Sequence, residues 1–169
     1  MGIVKRFVHV IAQIIYVLIV IYALVCAPMI FGYKPLVVLS GSMEPSFSTG
    51  SVVYYTKVST SDLKAGDIIT FEGNSGIIIS HRIEKVNSKT FVTKGDANNT
   101  VDPQEVPFDK VLGRDANFCI PFVGYFIKFV NDNLLLVGIP VVIILLLEFF
   151  LSNKDFDKDI KERSMMING

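Results

Sequence analysis

Cysteine and histidine are scarce in this 169-residue chain, two of each, and their placement excludes most of the chemistry they bring. Cys26 belongs to the first long apolar run and Cys119 to the end of the middle region. Neither a disulfide nor a metal site is therefore expected, and nothing calls for a cofactor. Net charge is also absent, because 16 Lys and Arg balance 16 Asp and Glu. The basic residues of the middle region are scattered rather than gathered into a stripe, which excludes a nucleic-acid binder. No internal repeat or low-complexity tract interrupts the chain.

Apolar content is in excess: 51% of residues are hydrophobic and the mean hydropathy is +0.50, high for a soluble domain. Phe7 to Phe31 holds no Lys, Arg, Asp or Glu, and Leu134 to Leu151 is broken only by Glu148. Each run is long enough to cross a hydrocarbon core of ~30 Å as a helix. A cleaved secretory leader ending at Val25-Cys26-Ala27 is the alternative for the first run, but its length exceeds the ~7–15 residues of an ordinary leader core. Lys5 and Arg6 precede the first run, while Lys154, Lys158, Lys161 and Arg163 follow the second. The positive-inside rule then gives a cytoplasmic N-terminus (1–6), a span (7–31), an extracytoplasmic domain (32–133), a second span (134–151) and a cytoplasmic tail (152–169). The ten Lys and Arg of the middle domain do not oppose this, because long translocated domains largely escape the rule.

The middle domain reads as mainly β. Its apolar runs are short, rich in Val, Ile, Tyr and Phe, and separated by Gly, Asn, Ser and Asp. Strands are predicted at Leu36–Leu39, Ser51–Lys57, Asp67–Glu72, Gly76–Val86, Thr90–Lys94 and Lys110–Asn117, with turns at Gly73-Asn74-Ser75-Gly76 and Asn87-Ser88. Strands in succession without long helices between them imply an antiparallel sheet or small barrel, flanked by the two spanning helices.

Three places in this domain can carry chemistry. Ser40-Gly41-Ser42-Met43-Glu44-Pro45 follows a β run a few residues beyond the first span; a glycine between two serines lets the backbone turn and present a hydroxyl beside N–H donors. Ser-Gly-Ser is also an ordinary turn. Met43, Pro45 and Phe47 suit either a bilayer-facing surface or core packing. His81 is the one histidine outside the spans, and strand parity puts it on one face with Ile77, Ile79 and Ile83. That setting fits a satisfied core histidine as well as a general base kept neutral near pH 7. Asp96 and Asp102, in the polar stretch after Lys94-Gly95, could each orient the imidazole or cap the turn.

Ser40-Gly41-Ser42-Met43-Glu44-Pro45, Ile79-Ser80-His81-Arg82-Ile83 and Thr93-Lys94-Gly95-Asp96 together resemble the boxes of type I signal peptidases. Ala65-Gly66-Asp67-Ile68-Ile69, Val111-Leu112-Gly113-Arg114 and Pro121-Phe122-Val123-Gly124-Tyr125 extend the match across nearly the whole chain. His81-Arg82 replaces the Ser–Lys pattern of ordinary bacterial enzymes, which resembles the endoplasmic-reticulum-type branch, and the two-span layout is most similar to its small W-type members in Gram-positive bacteria. Gly50-Ser51 and Ala97 depart from the pattern without touching nucleophile or base. The resemblance implies a membrane-bound serine endopeptidase that removes signal peptides from exported preproteins. Ser42 would be its nucleophile, His81 its base, and Ser40 with the Ser42 N–H its oxyanion donors. Asp102 aligns with the acid usually assigned to the triad and is preferred for orienting His81, with Asp96 holding the loop. The implied partners are signal peptides and the lipid bilayer, with room for association with the secretion translocon. The rival from another class is a non-catalytic membrane-anchored subunit of a processing or export complex.

Overall fold

The computed structural model describes residues 2–167; Met1 and Asn168–Gly169, the tips of the two segments expected in the cytoplasm, lie outside the described residues. The chain divides into two compact units, Val25–Asn131 and a second made of Met1–Leu24 with Asp132–Gly169.

The second unit is helical. Its α1 (Ile3–Cys26) continues into a short 3-10 turn, and α3 runs from Leu134 to Ile167. Both contain stretches long and apolar enough to cross a membrane, Ile3–Phe31 and Leu134–Lys154. The helical backbone of α3 thus extends well past the apolar run, into the segment that composition marks only as a polar tail. Between the two helices, His9 Nδ1 lies 2.7 Å from Glu148 Oε1 and Lys5 Nζ donates to the Leu151 carbonyl at 3.3 Å. Pairing of this kind is what ionisable groups within apolar helices require.

The first unit is a seven-stranded sheet in which every neighbouring pair is antiparallel. Its strands are β1 (Lys34–Val37), β2 (Val52–Thr56), β3 (Ile68–Glu72), β4 (Ile78–Val86), β5 (Thr90–Lys94), β6 (Val106–Pro107) and β7 (Val111–Ile120), ordered β1-β2-β7-β3-β4-β5-β6. The sequence anticipates six of them within a few residues. It misses β6, two residues long and ending in a proline, which falls below any periodicity. It also misses α2 (Val123–Asp132), whose Val123 and Ile127 pack on Val52 and Tyr54.

Buried side chains gather in separate clusters under the sheet. Leu63, Ile69, Phe71, Ile83, Phe91 and Val106 form one, and Met43, Phe47, Val53 and Ile68 another. Met43 and Phe47 are each 3% exposed, so of the three residues beside Ser42 that could have faced a bilayer, two are core and only Pro45 is exposed. β4 is graded along its length: Ile77, just before the strand, is exposed, whereas His81 and Ile83 on the same parity are buried.

The pairing of β2 with β7 is irregular. Val53 faces Cys119 and Tyr55 faces Asp115, so Ala116–Phe118 bulge opposite Tyr54 alone. Asn117 adopts φ 53° within this bulge and donates its N–H to Asp115 Oδ1 at 2.7 Å, a local bond that tethers the extra residues. Asp115 is 3% exposed and its Oδ2 has no partner among the described residues. Burial pushes this carboxyl up to about 6, because a lone charge there lacks compensation for lost hydration.

Candidate active site

Ser42 lies on the turn that leaves β1, and the turn is held by its own apolar residues. Met43 and Phe47 enter the core on one side of it, and Phe47 N–H donates to the Met43 carbonyl at 2.9 Å. Burying two large side chains, each contributing about 1.5–3 kcal/mol, fixes a segment that would otherwise be a free loop.

His81 projects from β4 into the same region. Its Nε2 is 3.2 Å from Ser42 Oγ and its Nδ1 is 2.6 Å from Asp102 Oδ2. Phe71 on the adjacent strand meets the imidazole edge-on at 6.4 Å between ring centres. Asp102 is brought there by the segment after β5: its N–H donates to the Thr93 carbonyl at 2.8 Å, and the Thr93 hydroxyl donates to Asp102 Oδ2 at 2.7 Å. A carboxylate oxygen only accepts, so the proton of a neutral imidazole belongs on Nδ1 and the Nε2 lone pair faces the serine. The arrangement can therefore take a proton from Ser42 Oγ. Ser40 Oγ stands 3.3 Å from Ser42 Oγ, close enough for its hydroxyl to turn toward negative charge beside Ser42.

Asp96 is engaged elsewhere. Its two carboxylate oxygens accept from Arg82 Nε at 2.8 Å and Arg82 Nη2 at 2.6 Å, and Ser46 Oγ donates to Oδ2 at 2.5 Å. Arg82 also donates to the Gly66 carbonyl at 2.8 Å. The Arg82 guanidinium holds the Asp96 carboxyl below the usual carboxylate range; burial opposes this and the Ser46 bond reinforces it. A fork of this geometry is strong and directional. It ties the serine-bearing turn, through Ser46, to the loop after β5, and a backbone bond from Ala97 N–H to the Ser42 carbonyl at 2.9 Å makes the same link.

Gly95 explains how these pieces come so close. A Cβ there would lie 2.6 Å from the Ser42 carbonyl oxygen and 3.0 Å from His81 Nε2, so a side chain at this position would separate Ser42 from His81. Gly41 is less constrained than the sequence suggests. It is not among the positive-φ glycines, and a Cβ would first meet the Glu44 carboxylate at 3.4 Å. Of these two glycines, Gly95 is the one that the geometry demands.

Ser42 and Ser40 line a cavity of about 390 Å³ whose walls include Leu36, Val38, Met43 and Ile79. It is apolar and suits small aliphatic side chains next to the hydroxyl. Cys26 and Cys119 are free thiols. Among the described residues no cluster of three or more His, Cys, Asp or Glu is placed to hold a metal ion.

Sequence reasoning names Ser40, Ser42, His81, Asp96 and Asp102, and the structure brings Ser40, Ser42, His81 and Asp102 into one chain of contacts, with Asp96 beside it. It gives no structural role to Thr93 and Arg82, which stand in the boxes it quotes, or to Ser46. Strand parity held part of the signal: Phe91 and Thr93 are both buried on β5, and Arg82 must leave β4 on the face opposite His81. The contact between Ser46 and Asp96, fifty residues apart, leaves no local trace.

A family model described as signal peptidase, peptidase S26, matches residues 11–102. Signal peptidase I W of Bacillus subtilis is 36% identical over 99 residues, covering 56% of this chain and 52% of its own length. The human signal peptidase complex catalytic subunit SEC11C is 39% identical over 111 residues, covering 57% of this chain and 56% of its own. The chain thus spans about half the length of these curated relatives.

Proposed function

Because the chain belongs to the signal peptidase family, peptidase S26, we propose that it is a membrane-bound serine endopeptidase cleaving signal peptides from exported preproteins. The observation that carries this reading is the hydrogen-bonded chain Ser42 Oγ, His81 Nε2, His81 Nδ1, Asp102 Oδ2. Ser42 attacks the carbonyl carbon at the cut as His81 takes its proton. The Ser40 hydroxyl and the Ser42 N–H hold the resulting oxyanion. His81 then gives the proton to the departing amine nitrogen, and water releases the acyl group by the same path. Asp102 keeps the tautomer and stabilises the imidazolium, and Thr93 in turn fixes Asp102. Asp96 holds the loop through Arg82 and Ser46. The cavity beside Ser42 receives small side chains preceding the cut.

The two apolar helices anchor the protein in the bilayer. The basic residues before the first and after the second support cytoplasmic termini and an extracytoplasmic β domain, where signal peptides emerge and the secretion translocon is at hand. Impermeant labelling of an N-terminal tag in intact cells would overturn this topology.

The enzymatic reading is tested with a preprotein and purified membranes. Ser42→Ala and His81→Ala should each lower the rate by at least about 10⁴-fold while the protein remains folded, and His81→Lys should fail equally. Wild-type processing by any of these variants overturns the mechanism.

A further inference from the structure

A second cavity, of about 670 Å³, reaches His81 and Asp102. Of the two cavities, Ser42 and Ser40 line the smaller, whereas His81 and Asp102 line the larger; Ile77 and Ile79 form a wall common to both. This division matches how acyl transfer divides a peptide. The acyl half stays on the serine oxygen beside the oxyanion donors, and the amine half leaves from the base, which returns the serine proton to the amine nitrogen as the C–N bond breaks. A peptide whose acyl half occupies the Ser42 cavity therefore has its amine half against His81.

We propose that the cavity beside His81 receives the residues that follow the cut, and that it favours apolar or basic side chains there over acidic ones. This rests on the endopeptidase reading above and adds a selectivity that reading does not contain. The walls supply the apolar part, from Phe71, Ile79 and Val106 with Pro103 and Pro107 at the edge. Charge at the rim is predominantly negative. Among the described residues that line the cavity, Glu72, Glu105 and Asp102 stand against one cation, Lys110, whose Nζ lies 3.8 Å from Glu72. Glu105 accepts hydrogen bonds from Thr90 and Asn87, which hold its carboxyl below the usual range. An acidic residue after the cut would enter a wall that already carries surplus negative charge, whereas an aliphatic one would bury its surface.

The test uses the full chain in vesicles and preproteins identical up to the cut, with the first two residues beyond it set to Ala, Leu, Lys or Asp. Leu and Lys should be cleaved with higher kcat/KM than Asp. Gln104 is exposed at the cavity wall, so Gln104→Trp should narrow the entrance and lower the Leu-to-Ala ratio on the order of tenfold. The ranking of residues before the cut should stay as in the unaltered protein. Glu72→Lys should raise Asp relative to Ala severalfold. Unchanged ratios in both variants, or losses uniform across all substrates, overturn the proposal while leaving Ser42-dependent cleavage in place. A lack of Ser42-dependent cleavage by the unaltered protein overturns the enzymatic reading and this one with it.

Discussion

Two aspartates six positions apart on one loop have opposite surroundings. Asp102 shares its Oδ2 between an imidazole and a threonine hydroxyl, and the next contact along, from His81 to Ser42, is relaxed at 3.2 Å. Asp96 uses both oxygens in a fork with Arg82 and has a serine on one of them. The first chain contains an imidazole, whose two nitrogens can each carry a proton, and a contact with room to tighten; the second is held by a permanent cation in a fixed geometry. A carboxylate facing an imidazole can assist proton movement, whereas one facing a guanidinium can only hold position, since Arg keeps its proton.

Replacing each acid in turn tests the contrast most severely. Asp102→Asn leaves the volume unchanged but lets an amide donate toward Nδ1, favouring the wrong tautomer, so kcat should fall by roughly 10³–10⁴-fold with a melting temperature close to wild type. If Asp96→Asn reproduces that loss at unchanged stability while Asp102→Asn does not, the two roles must be exchanged.

Arg82→Met addresses the clamp. It leaves Asp96 partly buried without its cation, and a stability loss on the order of 2 kcal/mol is expected in denaturant titration at pH 7. Because the folded carboxyl lies below its unfolded value, the stabilisation is present above the unfolded pKa of about 3.9. It is lost as pH falls through the lower folded value, so the gap between variant and wild type should close in strong acid. A gap independent of pH would show that the pair does not act through its charge.

Asp115 gives an effect of comparable size with reversed sign. Its folded carboxyl is raised to about 6, so the fold is unpenalised below the unfolded value, progressively destabilised between about 3.9 and 6, and fully penalised above. Asp115→Asn should therefore gain stability relative to wild type on going from pH 4 to pH 8, on the order of 2 kcal/mol. Thermal melts at the two pH values check it, and a constant difference would contradict the burial argument.

How much was legible in the sequence follows the same division. Strand positions came from alternation and turn residues, which are local, and the Thr90–Lys94 strand is found within its expected bounds. The residues expected to meet in a site could be named because their boxes resemble those of type I signal peptidases; taken singly, Ser40-Gly41-Ser42 is also an ordinary turn and either acid could cap one. Which acid faces the imidazole depends on the path of the 95–102 loop, set by the Ala97 and Asp102 backbone bonds and by a fork reaching a residue fifty positions away. Neither leaves a periodic trace. α2 was legible but overlooked: Val123, Phe126, Ile127 and Val130 stand at the i, i+3, i+4, i+7 spacing of a helix face, and Val123 and Ile127 pack toward the sheet.

The burial of Met43 and Phe47, both just after Ser42 in the chain, has a further consequence. Many enzymes carry reactive groups on segments that loosen well before the body melts. Here the serine-bearing turn cannot lift away without withdrawing two large side chains from the interior they share with Val53 and Ile68. Heat inactivation should consequently run in step with loss of the β domain, and the catalytic lifetime of the protein at elevated temperature becomes a property of its interior packing.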